Sequence, residues 1–200
     1  LTNFIDFKDY LSNSFCSLDR IVKEIPHTWL AVREALLDKN ENWIPVEQFH
    51  TLCIESGIEK ADKRKKLLNS FRQLGYLLHY KDNTALKGMV ILNREWVADA
   101  LYRVLDSSLV HENKGWFMEE NVQEIWHEDK YENRTNELLA LMSEFKLCYQ
   151  NPVTHKFIVP SKLPNSTDDL PVWDNSNNVR LRLKYDWMPK AIAIQLMVSL

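Results

Sequence analysis

The chain has 200 residues, 45% of them hydrophobic, enough for one or two compact domains with a sizeable core, and its net charge of −3 makes non-specific attraction to a polyanion weak. Four glycines against seven tryptophans leave little material for a glycine-built phosphate loop, and Cys16, Cys53 and Cys148 form no Cys-x-x-Cys pair, which argues against a thiolate zinc site or a disulfide framework. No apolar run approaches the length of a membrane span and residues 1–6 lack the charged start of a signal peptide, so a reduced, cytoplasmic protein is expected; a start at Leu1 and a stop within an apolar run suggest a piece of a longer chain.

Phe4, Phe7, Leu11, Phe15, Leu18, Val22 and Ile25 keep helical spacing, predicting an amphipathic helix over 4–24 whose stripe needs a partner. Pro26 suits the first turn of a second helix, with Trp29, Val32, Leu36 and Leu37 inward and Lys39-Asn40-Glu41-Asn42 ending it. Trp43-Ile44-Pro45 reads as a short extended segment, and a third helix, with Val46, Phe49, Leu52 and Cys53 inward, stops at Gly57. Residues 58–62 make a connection of helix-turn-helix proportions to a helix with Leu67, Leu68, Phe71 and Leu74 on one face, ended by Gly75. Two β-prone runs, 76–80 and 89–92, flank the polar loop Lys81-Asp82-Asn83-Thr84 and Gly88, which predicts a hairpin. Asn93 then caps a helix whose face carries Trp96, Val97, Ala100, Leu101 and Val104.

Past Asp106 the order repeats. Trp116-Phe117 echoes Trp43-Ile44; Val122, Ile125 and Trp126 echo Phe49, Leu52 and Cys53; Leu138-Leu139-Met142-Phe145 has the spacing of Leu67-Leu68-Phe71-Leu74. A second hairpin joins Leu147-Cys148-Tyr149 to Phe157-Ile158-Val159 through Asn151-Pro152-Val153-Thr154. Residues 165–178 have linker composition, 179–185 alternate apolar and basic as a half-buried strand does, and a helix begins after Met188-Pro189. The expected fold is α+β and mainly helical. Tandem winged-helix-like units with short β-hairpins, about 26–96 and 97–164, lie within a helical region 1–164; a linker, 165–178, leads to the start of a second α/β subdomain, 179–200.

Chemistry finds few candidates. The glycines stand alone, without the Gly-x-x-x-x-Gly-Lys-Ser/Thr loop that brings bare N–H groups to phosphates, and Gly-x-Ser-x-Gly is absent. His27, His50, His79, His111, His127 and His155 are scattered; His50 and Cys53 share a helical turn, where a core cysteine beside a surface histidine is the plainer reading, and His79 reads as a hydrogen-bonded imidazole in a wing strand. Catalytic, cofactor and metal residues are therefore expected to be absent. The one charge feature is Lys60, Lys63, Arg64, Lys65, Lys66 and Arg72, diluted by Glu59 and Asp62. It reads as a solvated helix start, as a docking surface for an acidic protein, or as a winged-helix approach to duplex DNA.

Five blocks resemble, in order, the COR domain of Roco proteins: Ile25-Pro26-His27-Thr28-Trp29, Leu74-Gly75-Tyr76-Leu77-Leu78-His79-Tyr80, Val90-Ile91-Leu92-Asn93-Arg94-Glu95-Trp96, the run 141–149 and the run 157–164. Two departures from the family pattern are Arg94, where Pro is frequent, and Lys190-Ala191, where a Gly is frequent. The resemblance implies a non-enzymatic coupling domain that follows a Ras-like Roc GTPase, packs against it and links its nucleotide state to homodimerisation. It also implies that Trp187, in Tyr185-Asp186-Trp187-Met188-Pro189, lies near the GTPase interface, a core aromatic being the other reading. Lys63, Arg64, Lys65, Lys66, Arg72 and Trp187 are the candidate protein-interaction residues; nucleic acid is the alternative partner.

Overall fold

Residues 2–16, 25–164, 184, 186–187 and 189–199 are described by the computed structural model. The helices are α1 Thr2–Cys16, α2 His27–Leu37, α3 Val46–Glu55, α4 Ala61–Gln73, α5 Arg94–Leu105, α6 Ser108–Glu112, α7 Glu119–Ile125, α8 Thr135–Glu144 and α9 Lys190–Ser199. The strands are β1 Trp43–Pro45, β2 Met89–Ile91, β3 Trp116–Phe117, β4 Tyr149–Gln150 and β5 Phe157–Ile158, with 3-10 turns at Asp129–Tyr131 and Pro160–Lys162. The result is a helix-rich α+β chain that divides into two compact units, Leu1–Glu41 with Glu47–Tyr76, and Asn42–Val46 with Leu77–Leu200.

In the first unit, Val32 and Leu36 of α2, Phe49 and Cys53 of α3, Ile58, and Leu67, Leu68 and Phe71 of α4 are buried, the three- and four-residue spacing that puts one face of each helix inward. Trp29 meets Phe71 edge-on at 6.4 Å, and Phe71 meets Tyr76 the same way at 5.5 Å. Gly57 ends α3 at φ 86°, letting the Ile58 N–H return to the Cys53 carbonyl, an arrangement that favours a residue without Cβ. The described part of the first predicted helix, α1, leaves Phe4, Phe7 and Phe15 more than half exposed, so its stripe has no cover among the described residues. Residues 17–24 of that prediction lie outside the described residues.

The second unit holds the larger core, from Leu86 and Met89 through Trp96, Leu101, Phe117, Trp126, Tyr131 and Leu141 to Val159. Strand β1 pairs antiparallel with β2, Trp43 opposite Ile91 and Pro45 opposite Met89, and β3-β5-β4 form an antiparallel three-stranded sheet. Phe117 and Phe157 stack at 5.2 Å with 8° between their planes. Gly115 sits at φ 91°, where an added Cβ would lie 2.9 Å from the Lys162 carbonyl carbon; only a glycine lets the two backbones come this close. Asn93 caps α5 as the sequence predicts, its side chain accepting from the Glu95 and Trp96 N–H groups.

The first predicted hairpin needs correction. Residues 76–80 form no strand; a single bridge joins Leu78 to Ile91, and β2 takes β1 as its main partner. The reason is the intervening loop, where Asn83 accepts from Ala85 N–H and Leu86 N–H and turns the chain before a ladder can extend. Leu37, Leu74 and Phe145, expected inward, are exposed because each falls at or beyond the last buried turn of its helix. The second hairpin forms, its first strand starting two residues later than expected and ending one later, with Asn151 accepting from Val153 N–H and Thr154 N–H in the turn. The linker 165–178 and most of the strand expected over 179–185 lie outside the described residues; the helix after Pro189 is α9.

Candidate functional site

The basic series at the start of α4 does not form one face. Arg64 folds back: its Nη1 donates to the Ile58 carbonyl at 3.3 Å and to the Glu59 carbonyl, tying down the turn between α3 and α4. Its guanidinium is therefore engaged within the unit. Arg72, more than two turns on, donates to Asn69 Oδ1 at 3.2 Å. Lys63, Lys65 and Lys66 are exposed, and none has a carboxylate partner among the described residues. Helical rotation puts Lys63 and Lys66 on one side and Lys65 elsewhere.

On that side lies a concavity of about 300 Å³ lined by Pro26, Thr28, Trp29, Gly57, Ile58, Lys63 and Lys66. The α2 start contributes Trp29 to it, and the tight α3 end, which depends on the positive φ of Gly57, contributes Gly57 and Ile58. The sequence marked the lysines but not the recess, because Trp29 and Ile58 are 29 residues apart and meet only through packing. Trp187, the remaining candidate, is 78% exposed, so it is not a core residue of the described part.

The second unit holds a polar network that sequence reasoning missed. Asp99 accepts from Tyr131 at 2.5 Å, from Lys130 at 2.8 Å and from Arg103 at 3.2 Å; Glu128 bridges Arg103 at 2.6 Å and Lys130 at 3.3 Å. Hydrogen bonds from Lys130 and Tyr131 hold the Asp99 carboxyl well below the usual carboxylate range, and the contacts of Lys130 with Asp99 and then Tyr131 keep its ammonium firmly protonated. Two indoles fasten the same region, Trp96 Nε1 donating to the Lys130 carbonyl and Trp126 Nε1 to the Ala100 carbonyl, each at 2.9 Å. The only local hint in the sequence was Asp99 and Arg103, one helical turn apart. A second recess in this unit, about 390 Å³, is lined mainly by Leu78, Val97, Leu101, Tyr102, Phe145 and Leu147, an apolar surface without paired acid and base.

Cys53 and Cys148 are buried, free thiols. Burial pushes the Cys53 thiol up to about 11 and the Cys148 thiol up to about 12, so neither offers a thiolate near neutral pH. His79 Nε2 donates to the Lys87 carbonyl at 3.0 Å, the hydrogen-bonded imidazole read from the sequence, though outside any strand. No cluster of His, Cys, Asp and Glu suited to a metal occurs among the described residues. Nor is any described helix long and apolar enough to cross a membrane.

Comparison with known proteins places these features in a family. The family described as "C-terminal of Roc, COR-A domain" matches residues 26–163. A Roc-COR-CHAT protease of Runella zeae is 30% identical over 176 residues, 86% of this chain and 18% of the relative; the probable serine/threonine-protein kinase qkgA of Dictyostelium discoideum is 26% identical over 156 residues, 78% of this chain and 9% of the relative. The chain thus spans less than a fifth of either relative. A solved structure, Methanosarcina barkeri Roco2 RocCORdC bound to GDP, shares the fold with a TM-score of 0.67 at 21% identity, over 79% of this chain and 50% of that one. With the family matched across most of its length, the chain belongs to the COR-A domains, the segment C-terminal of Roc in Roco proteins.

Proposed function

We propose that this chain is a non-catalytic interaction and coupling domain of a Roco protein, packing against the Ras-like Roc GTPase that precedes it and linking that domain's nucleotide state to homodimerisation. The observation that carries the reading is the COR-A match over residues 26–163, which makes Roc the expected neighbour in the same chain. On this reading, GTP hydrolysis belongs to Roc, in the cytoplasm, and this part contributes surfaces. The exposed Trp187 is suited to such work, since aromatic side chains concentrate binding energy when buried by a partner, and the cationic start of α4 can steer an acidic surface toward it.

The internal organisation we read as two winged-helix-like units, about 26–96 and 97–164. In support, the order helix, strand, helix, helix, β-bridge or strand, turn, strand occurs twice, and in each sheet the first strand pairs with the last. This division follows element order and differs from the division into compact units, in which β1 and the segment from Leu77 join the second unit. Residues 165–178 serve as a linker, and 179–200 open the second half of COR.

The experiment is light scattering on the purified parent Roc-COR protein, loaded with GDP or with a non-hydrolysable GTP analogue, with and without residues 26–163. A nucleotide-dependent dimer fraction that disappears with the segment is the expected result. A fraction that responds to nucleotide equally without the segment overturns the proposal.

A further inference from the structure

We infer that the recess bounded by Trp29, Ile58, Lys63 and Lys66 is a docking site for an acidic protein segment carrying one apolar side chain. Pro26, Trp29 and Ile58 bring apolar surface to a concavity of about 300 Å³, the scale of a single large side chain with its neighbours. The Trp29 indole N–H has no hydrogen-bond partner among the described residues and remains able to donate.

The charge around the recess suits an acidic occupant. Between Glu59 and Lys66 stand five basic and two acidic side chains, in a chain whose net charge is −3. Lys63 and Lys66 line the recess itself, and neither reaches a carboxylate at salt-bridge distance among the described residues, Glu59 and Asp62 four residues before them included. In the second unit, by contrast, Arg103 and Lys130 are each held by two carboxylates. A segment with Asp or Glu on either side of an apolar residue would set that residue against Trp29 and its carboxylates over the two ammonium groups. A duplex nucleic acid is a poorer occupant, because Pro26, Trp29 and Ile58 set apolar surface beside the two lysines and Arg64 is turned inward.

The site stands independently of the Roc coupling reading and survives its failure. The test begins by panning a random heptapeptide phage library against the 200-residue chain, then synthesising the enriched peptide. Peptides joining acidic residues to an apolar one are expected. Fluorescence anisotropy should show that Lys63→Glu with Lys66→Glu weakens that peptide by about tenfold or more, whereas Lys65→Glu changes it by less than about twofold. In the wild-type chain the peptide should protect the Lys63 and Lys66 amines, and not Lys65, from acetylation, a readout that needs no variant to fold. Failure of the library to enrich, enriched peptides without acidic residues, or protection and weakening at Lys65 equal to those at Lys63 and Lys66 would overturn the assignment. A nucleic acid occupant would instead appear as binding of a labelled 20-base-pair duplex at low salt that is lost in the double variant, and that too overturns it.

Discussion

Cations at the start of α4 and cations in the second unit are alike in sequence and opposite in circumstance. Arg103 and Lys130 each contact both Asp99 and Glu128, and both lie over the Tyr131 ring, at 5.6 Å and 4.9 Å from its centre. Lys63 and Lys66 have no carboxylate partner among the described residues. A cation held by two carboxylates contributes modestly to the fold and is already engaged when a partner approaches; one left open contributes little to the fold and remains free to bind. Charge counted along a sequence therefore measures neither role, because the partners that decide between them are 31 residues away for Lys130 and Asp99.

The comparison is tested most severely through the packing that holds the network in place. Trp126 is 3% exposed and its N–H reaches the Ala100 carbonyl, so Trp126→Ala should cost about 3–5 kcal/mol, read as a fall in the urea midpoint. Trp29→Ala, at a half-buried ring lining an open recess, should cost distinctly less. Equal losses would erase the distinction between a closed region and an open one. Next in size is Asp99→Asn, which keeps an acceptor for Tyr131 but removes the charge that holds Lys130 and Arg103; because Asp99 is nearly half exposed, screening limits the expected loss to about 1 kcal/mol at neutral pH. Its folded carboxyl is depressed below the ordinary value, so the stabilisation is fully present above the usual carboxylate range. It fades as pH falls from that range toward the depressed folded value. Thermal melts of wild type and Asp99→Asn should accordingly differ at pH 7 and converge in strong acid.

Local signals were legible and distant ones were not. Gly57 and Gly75 at helix ends, Asn93 as a cap and the inward face of α5 follow from residues within one or two turns of each other, and the structure has all of them. The extended reading of Trp43-Ile44-Pro45 was also local, but its pairing with Met89–Ile91 across more than 40 residues was not, and so residues 76–80 were given a strand partner that β1 occupies instead. The basic cluster was visible as composition. That Arg64 would turn inward depended on the Ile58 and Glu59 carbonyls left open after the Gly57 turn, a geometry that exists only once α3 and α4 have packed. Trp187 could be marked by resemblance and is exposed, yet nothing local in its sequence separates a binding aromatic from a core one.

Arg64 offers the finer cut between fold and function. Arg64→Ala should cost about 1 kcal/mol and speed hydrogen exchange at the amides of residues 58–60, because the carbonyls it ties would face water alone. Lysine at this position carries the charge but not the planar fork, and should restore stability only in part.

The smallest effect on the fold is the one that matters most for function. Lys63→Ala with Lys66→Ala removes two exposed cations with no carboxylate partner among the described residues, and the thermal midpoint should move by no more than the equivalent of about 0.5 kcal/mol. Lys130→Ala, which empties a position held by Asp99 and Glu128, should exceed it. A double variant as destabilised as Lys130→Ala would mean that the α4 lysines work for the fold, and the contrast between open and closed cations would be lost. A double variant as stable as wild type leaves their two positive charges at the rim of the Trp29 recess without any structural duty, which is the condition a docking surface requires: side chains whose removal is felt by a partner and not by the protein that carries them.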